Sequence, residues 1–275
     1  MNPTASIRLF DSHCHLDDPC YEADLEAVLD RARAAGVAGI MIAGIDRKTS
    51  EKALEIACRC PMVFSAVGFH PHDAKSCTDP DIEALKALAA HQRVKAWGEI
   101  GLDFNRMFSS KADQENWLVR QLEAADALNL PVIFHERESG GRLIDILKRH
   151  HRRQGDGVIH CFSGTRAELE TYLEMGYSVG ITGIVTIQER GKALREMLRS
   201  IPLDRILIET DAPYLTPAPE KNRYRRNEPA FVRSVLETLA SVLEQPISVL
   251  AEIIWRNTCR LYRIDPEAVS DERPG

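Results

Sequence analysis

Val94-Lys-Ala-Trp-Gly-Glu-Ile-Gly-Leu-Asp103 starts as an apolar run and ends in carboxylates, and Val132-Ile-Phe-His-Glu-Arg137 repeats that form with an imidazole at its end. Between them, residues 114–128 place apolar side chains at helical spacing, so the piece reads as strand, helix, strand. The alternation continues in both directions. Short apolar runs at 7–10, 38–43, 63–67, 94–97, 132–134, 158–159, 178–181 and 206–208 alternate with helix-length periodic segments, eight runs in all. Residues 21–35 place Leu25, Val28, Leu29 and Ala32 at i, i+3, i+4 and i+7, and Gly36 is the C′ glycine that closes such a helix. No Pro/Gly/Ser linker, long charge block or internal repeat interrupts the pattern. The 275 residues therefore predict one α/β domain, 1–275, a single (β/α)8 TIM barrel with an additional C-terminal helix over 248–262.

Composition narrows the function classes. The chain is 44% hydrophobic, 28% charged and 6% aromatic, the balance of a globular protein rather than a disordered or collagen-like one. Its 35 Lys and Arg against 41 Asp and Glu leave a formal charge of −6, so a dedicated nucleic-acid coat is disfavoured unless local basic patches or bound cations recruit phosphates. Seven cysteines make no disulfide framework, and Cys58-Arg-Cys60 is not a CxxC pair, which predicts free thiols in a reducing compartment. No apolar run approaches ~18 residues, and Met1 to Asp11 lacks a basic start followed by an apolar stretch, so the expectation is a cytoplasmic protein without a membrane segment.

In barrels of this class chemistry sits at the C-terminal ends of the strands. The first run ends Asp11-Ser-His13-Cys-His15, the third Gly68-Phe-His70-Pro-His72, and the fourth with Glu99 and Asp103. The fifth ends in His135, the sixth in His160, and the eighth Glu209-Thr-Asp211-Ala-Pro213. Side chains alternate along a strand, so His13 and His15 point the same way, while Cys14 and Cys161 face away as small core residues. A lone His on an apolar strand is ordinarily a hydrogen-bonded core residue. Six imidazoles and carboxylates converging would leave desolvated polar groups uncompensated, and divalent cations satisfy them. His13, His15 and Asp211 are predicted to hold one ion and His135 and His160 a second, with Glu99 able to bridge. The expectation is a two-metal hydrolytic centre, in which the metals activate water. Imidazole suits Zn, Ni, Fe or Mn, whereas Mg prefers oxygen ligands, so two divalent cations are expected with Mg, Mn and Zn all open.

The ordered motifs Asp11-Ser-His-Cys-His-Leu16, Gly68-Phe-His-Pro-His72, Gly98-Glu-Ile-Gly-Leu-Asp103, Phe134-His-Glu-Arg137, His160-Cys-Phe-Ser-Gly164, Glu209-Thr-Asp-Ala-Pro-Tyr-Leu215, Arg226-Asn-Glu-Pro229 and Asn257-Thr-Cys-Arg-Leu-Tyr262 resemble the TatD family of metal-dependent deoxyribonucleases. The resemblance covers residues 8–264 or so. It implies a TIM-barrel metal hydrolase of the amidohydrolase-like group that cleaves DNA phosphodiesters, often as a 3′-to-5′ exonuclease. The implied metal ligands are His13, His15, Glu99, His135, His160 and Asp211. Catalytic roles are implied for Asp211, Glu99 and His70, and substrate contacts for His70, Arg137 and Arg226. The implied partner is DNA, single-stranded or at 3′ ends, with no membrane and no stable protein partner. His72, two residues further into its loop, is read as a surface hydrogen-bonding group.

Three departures from the family pattern bear on substrate range rather than on metals: Phe104 stands where a Tyr is usual, Glu138-Ser139 follows Arg137, and the loop Lys221-Asn-Arg-Tyr-Arg-Arg226 lacks the common Gly. That loop follows the eighth run and so lies on the metal face, where its guanidiniums could hold phosphates and Tyr224 could stack a base. Lys148-Arg-His-His-Arg-Arg153 ends a helix on the opposite face and is read as solvated charge at a helix C-terminus. No GxxxxGK[ST] is present, which removes support for ATP or GTP chemistry. In the nuclease reading, metal-activated water attacks phosphorus while Asp211 orients or deprotonates it. The alternative keeps the metals and changes the bond, to an ester or amide such as that cleaved by a D-aminoacyl-tRNA deacylase. A metal-stabilised scaffold would instead close its coordination sphere.

Overall fold

The computed structural model describes residues 7–267. Its strands are β1 (Leu9–Cys14), β2 (Val37–Ala43), β3 (Val63–Val67), β4 (Val94–Asp103), β5 (Val132–Arg137), β6 (Gly157–Ile159), β7 (Ser178–Ile181) and β8 (Ile206–Ile208). The helices are α1 (Leu25–Ala34), α2 (Arg47–Arg59), α3 (Asp79–Ala89), α4 (Lys111–Leu128), α5 (Arg142–His150), α6 (Arg166–Glu174), α7 (Lys192–Leu198), α8 (Ala218–Lys221), α9 (Val232–Leu243) and α10 (Ile247–Tyr262). The eight strands form one sheet in chain order, and the pairs from β3/β4 through β6/β7 are parallel. This is the (β/α)8 class expected from the alternation, with α10 as the added C-terminal helix. Among the described residues no single helix is long and apolar enough to cross a membrane.

The chain groups into two compact units, Ile42–Gly180 and the residues on either side of it, with the divisions inside β2 and β7. In the unit that holds both ends of the chain, Phe10 on β1 packs against Trp255 and Tyr262 of α10, with ring centroids 5.9 and 6.2 Å apart. Buried Asn257 of α10 donates to the carbonyls of Leu203 and Ile206 at 2.7 and 3.0 Å, tying the helix to the start of β8. Past the strand ends, the Asp211 N–H donates to His13 O at 2.9 Å and the His15 N–H to Ala212 O at 2.7 Å. Those two bonds tie the segment that carries the histidines to the turn after β8.

α1 starts at Leu25 rather than at residue 21 because Pro19–Tyr21 forms its own short turn, with the Asp18 carboxylate accepting from Cys20 N–H at 2.8 Å. Gly36 takes φ +90°, the left-handed conformation that ends the helix as expected. α4 starts at Lys111, three residues before the periodic segment, because Ser110 Oγ caps the Asp113 N–H.

In the Ile42–Gly180 unit β4 runs ten residues, not four. Apolarity alone ends the run at Trp97, whereas Glu99 and Asp103 ride on the strand itself. Gly101 permits this: its φ is +153°, and a Cβ there would lie 1.9 Å from the His135 carbonyl oxygen on β5. Close approach of β4 to β5 thus needs glycine next to the acidic positions.

Candidate metal centre

β1 carries His13, with His15 just beyond its end, and the turn after β8 carries Asp211. His13 Nε2 and His15 Nε2 lie 3.2 Å apart, and Asp211 Oδ1 is 3.6 and 3.5 Å from them. Strand alternation aims both imidazoles to one side, and the backbone bond from Asp211 to His13 brings the carboxylate to them. Asp211 has φ +55°, a conformation that Asp tolerates better than most residues. Behind it, Thr210 donates from its backbone N–H and its hydroxyl to the two oxygens of Asp11, at 2.8 and 2.6 Å. Burial pushes the Asp11 carboxyl up to about 8 against the lowering effect of those bonds. Two neutral ring nitrogens facing each other at this distance repel if both present lone pairs. A cation within reach of both rings and the carboxylate removes that conflict, so the donor set fits a divalent ion.

The Ile42–Gly180 unit supplies a second and richer group. Glu99 Oε1 lies 2.7 Å from His135 Nδ1 and 3.4 Å from both His70 Nε2 and His160 Nε2. Asp103 Oδ2 accepts from His72 Nε2 at 2.7 Å and lies 3.2 Å from His135 Nε2. Glu99 and Asp103 are both buried. Burial drives His135 toward its neutral form, but hydrogen bonds to Asp103 and Glu99 outweigh it and raise the imidazolium to about 9. Asp103 is likewise penalised by burial, yet His135, His72 and the Arg106 N–H hold it well below the usual carboxylate range. His70 behaves oppositely: burial pushes it down to about 4 despite Glu99. The His135 ring thus lies between two carboxylates whose charge a metal cation would balance. Donor atoms of Glu99, His135 and His160 lie within 4.8 Å of one another, as do those of His70, His72 and His135.

Two buried amides of α4 hold this group in place. Gln114 accepts from the Asp103 N–H at 2.8 Å and donates to its carbonyl at 3.1 Å. Gln121 accepts from the Phe69 N–H and the Trp97 indole and donates to the Phe69 carbonyl, at 2.8, 3.2 and 2.9 Å. His70 is therefore pinned through its neighbour, and its Nδ1 accepts the His72 N–H at 3.1 Å.

Of the six residues read as ligands, His13, Glu99 and His135 stand on their strands and His15, His160 and Asp211 just past strand ends, in these two groups. Two members of the second group did not emerge from the sequence. Asp103 ends a recognisable motif without a role of its own there, although a spacing of four on one strand puts it on the face of Glu99. His72, the loop residue read as a surface hydrogen-bonding group, is partly exposed and makes its hydrogen bond to buried Asp103. Of the expected substrate contacts, Arg137 is half-buried at the end of β5, and its guanidinium has no ion pair among the described residues. Arg226, the other expected contact, lies against the start of α1. It pairs with Asp24 at 2.5 Å, donates to Cys20 O, and lies over the Tyr21 ring at 4.4 Å. Neighbouring Asn227 donates to Thr210 O and Tyr214 O at 2.8 and 2.6 Å, and Glu228 takes Arg31 in a bidentate pair. The Arg-Asn-Glu-Pro motif thus braces the segment after β8 against α1.

The sequence pattern of the family described as TatD related DNase matches residues 10–263. A relative from Musicola paradisiaca, named 3′-5′ ssDNA/RNA exonuclease TatD, is 40% identical over 259 residues, covering 93% of this chain and 98% of the relative. A Bacillus subtilis relative named YabD, a metal-dependent hydrolase, is 37% identical over 94% of this chain and 100% of its own. The crystal structure of YjjV, a TatD homologue from Escherichia coli K12, superposes with a TM-score of 0.85 at 31% identity, over 95% of this chain and 100% of that one.

Proposed function

Since this chain belongs to the TatD related DNase family, we propose that it is a divalent-metal-dependent nuclease that hydrolyses phosphodiester bonds of single-stranded DNA from the 3′ end. The observation that carries the reading is the gathering of six His, Glu and Asp donors at strand ends in two groups, each with the chemistry to hold a divalent ion. The name of the Musicola relative supports a nucleic-acid substrate, and that of the Bacillus relative supports metal dependence.

The proposal assigns one cation to His13, His15 and Asp211 and another to Glu99, His135 and His160, from among Mg, Mn and Zn. Such ions, when bound, supply Lewis acidity and lower the pKa of coordinated water. Asp211 orients the attacking water and accepts its proton at a carboxylate oxygen. His70 stays neutral across the physiological range, because burial depresses its pKa to about 4. Its Nδ1 accepts from the His72 backbone, so the proton resides on Nε2, where it can donate to a phosphate oxygen. Arg137 offers an unpaired guanidinium for a second phosphate oxygen. A single domain and a cytoplasmic location complete the reading.

The test is cleavage of an end-labelled single-stranded DNA oligonucleotide by protein stripped with EDTA and reloaded in turn with Mg, Mn and Zn, beside His135→Ala. The expected result is a ladder shortened from the 3′ end, restored by metal and lost in the variant. Cleavage that survives both EDTA and His135→Ala would overturn the reading.

A further inference from the structure

The chain is acidic overall, yet one part of it gathers cations without counter-ions. Arg190, Pro213, Lys221, Arg223, Tyr224 and Arg225 line a cavity of about 680 Å³ on the side of the loop between β8 and α9. None of those four basic side chains has a carboxylate partner among the described residues. The carboxylate closest to them in sequence within the loop, Glu220, is turned to Ser234, whose hydroxyl donates to it at 2.6 Å. Arg226, the next residue along, shows the contrast, since Asp24 and the Tyr21 ring hold it. Four like charges around one hollow repel one another unless an anion occupies it.

Two exposed aromatic rings accompany the charges. Tyr224 is 50% exposed and is backed by Phe231, with ring centroids 4.9 Å apart. Tyr214 is 56% exposed, and its ring lies 6.2 Å from that of His15. Pro213, two residues past Asp211, forms part of the cavity wall, so the hollow begins where the His13, His15 and Asp211 group ends. Guanidiniums that track a backbone, combined with open aromatic faces, are the means by which proteins hold single strands without reading their sequence.

We propose that this cavity is a subsite for a single-stranded nucleic acid: the strand passes over Tyr214, sets its phosphates on Arg190, Lys221, Arg223 and Arg225, and stacks a base on Tyr224. The proposal rests on the nuclease reading for its substrate class and adds where the strand beyond the scissile bond lies. It also gives the neighbours of Arg226 a binding role in the same loop.

The test is binding, measured with metal removed so that it does not depend on cleavage. Fluorescence anisotropy of 5′-fluorescein-dT12 in EDTA is followed across a salt series for the wild type, Arg223→Glu/Arg225→Glu, Tyr224→Ala, and Arg149→Glu as a charge control on exposed α5. The double variant is expected to bind at least about tenfold more weakly, with a salt slope shallower by about 0.7 for each phosphate that is no longer neutralised. Tyr224→Ala is expected to bind roughly tenfold more weakly with the slope retained. If the double variant melts early, Arg223→Gln/Arg225→Gln takes its place with the same expectation. Affinity and slope equal to those of Arg149→Glu would overturn the subsite, as would displacement of dT12 by inorganic phosphate at equal phosphate concentration. A wild type that binds dT12 but never cleaves it would sink the nuclease reading and leave the subsite standing.

Discussion

The two donor groups are assembled by different means. His13, His15 and Asp211 depend on strand alternation and on one backbone hydrogen bond at the ends of β1 and β8. The Glu99 group depends on a strand that continues through two glycines and on amide side chains of α4 that grip its backbone. The first holds a single carboxylate at the rim. The second buries two carboxylates around His135, whose ring nitrogens lie 2.7 and 3.2 Å from Glu99 and Asp103. Two buried carboxylates make the second group the one whose electrostatics fail hardest when a member is removed.

That difference can be broken at Glu99. Glu99→Gln keeps the shape and deletes the charge that faces three imidazoles, so metal-restored DNA cleavage should fall roughly a thousandfold or more, the scale of several kcal/mol of lost charge stabilisation. His15→Ala in the first group should cost less than Glu99→Gln in the same assay. The reverse order would show that the buried carboxylate is not the dominant member.

Asp103→Asn sharpens the comparison inside the second group. Asp103 acts through His135 and His72, so its loss should lower metal affinity and kcat by about 10- to 100-fold, the usual scale for groups that orient ligands. His72→Ala should follow in the same direction with a smaller effect. Unchanged metal affinity in both variants would return His72 to the surface role that its loop position suggested.

Asp103 and His72 also mark where sequence reading stopped. A run is recognised by its apolar residues, and β4 turns polar and glycine-rich at Gly98, so its last six residues looked like loop. His72 follows Pro71 in a short turn, where the pattern of apolar positions says nothing about burial. The six candidate ligands were legible for the opposite reason: each lies within a few residues of a clear apolar run. Arg226 was legible as a charged motif residue, but its contacts with Asp24 and Tyr21 were not, because charge and motif position look the same in a brace and in a substrate contact.

Arg226→Ala tests that brace against its neighbours. Losing the Asp24 pair and the Tyr21 stacking should cost about 1 kcal/mol, because the pair is partly exposed to solvent. Thermal melting should report that loss, whereas binding of dT12 should change far less than in Arg223→Glu/Arg225→Glu. Equal losses of binding in the two would restore Arg226 as a strand contact.

The smallest effect lies away from both groups. His151 is buried, with Tyr177 hydroxyl 2.6 Å from Nδ1, and burial lowers its pKa. The unfolded chain therefore takes up a proton near pH 6.5 that the folded chain refuses. The stability of the neutral ring is fully present above that pH and is lost as pH falls from about 6.5 through the lowered folded value. The wild type should lose more melting temperature between pH 7.5 and 5.5 than His151→Gln. An identical loss would assign the acid sensitivity to other groups.

From the sequence alone came the alternation of eight apolar runs with helices, hence the barrel class, and the polar residues that end most of the runs, hence the candidate ligands and the family. These are local properties, written in periodicity and in the identity of a few neighbours. Tertiary structure alone decided which donors pair, that His135 stands between Glu99 and Asp103, that Arg226 braces α1 while Arg223 and Arg225 have no carboxylate partner among the described residues, and that Gln114 and Gln121 hold the loops. Those facts depend on distances between residues far apart in the chain, and a charged or amide side chain shows no preference for its partner until packing has brought one within reach and removed the water between them.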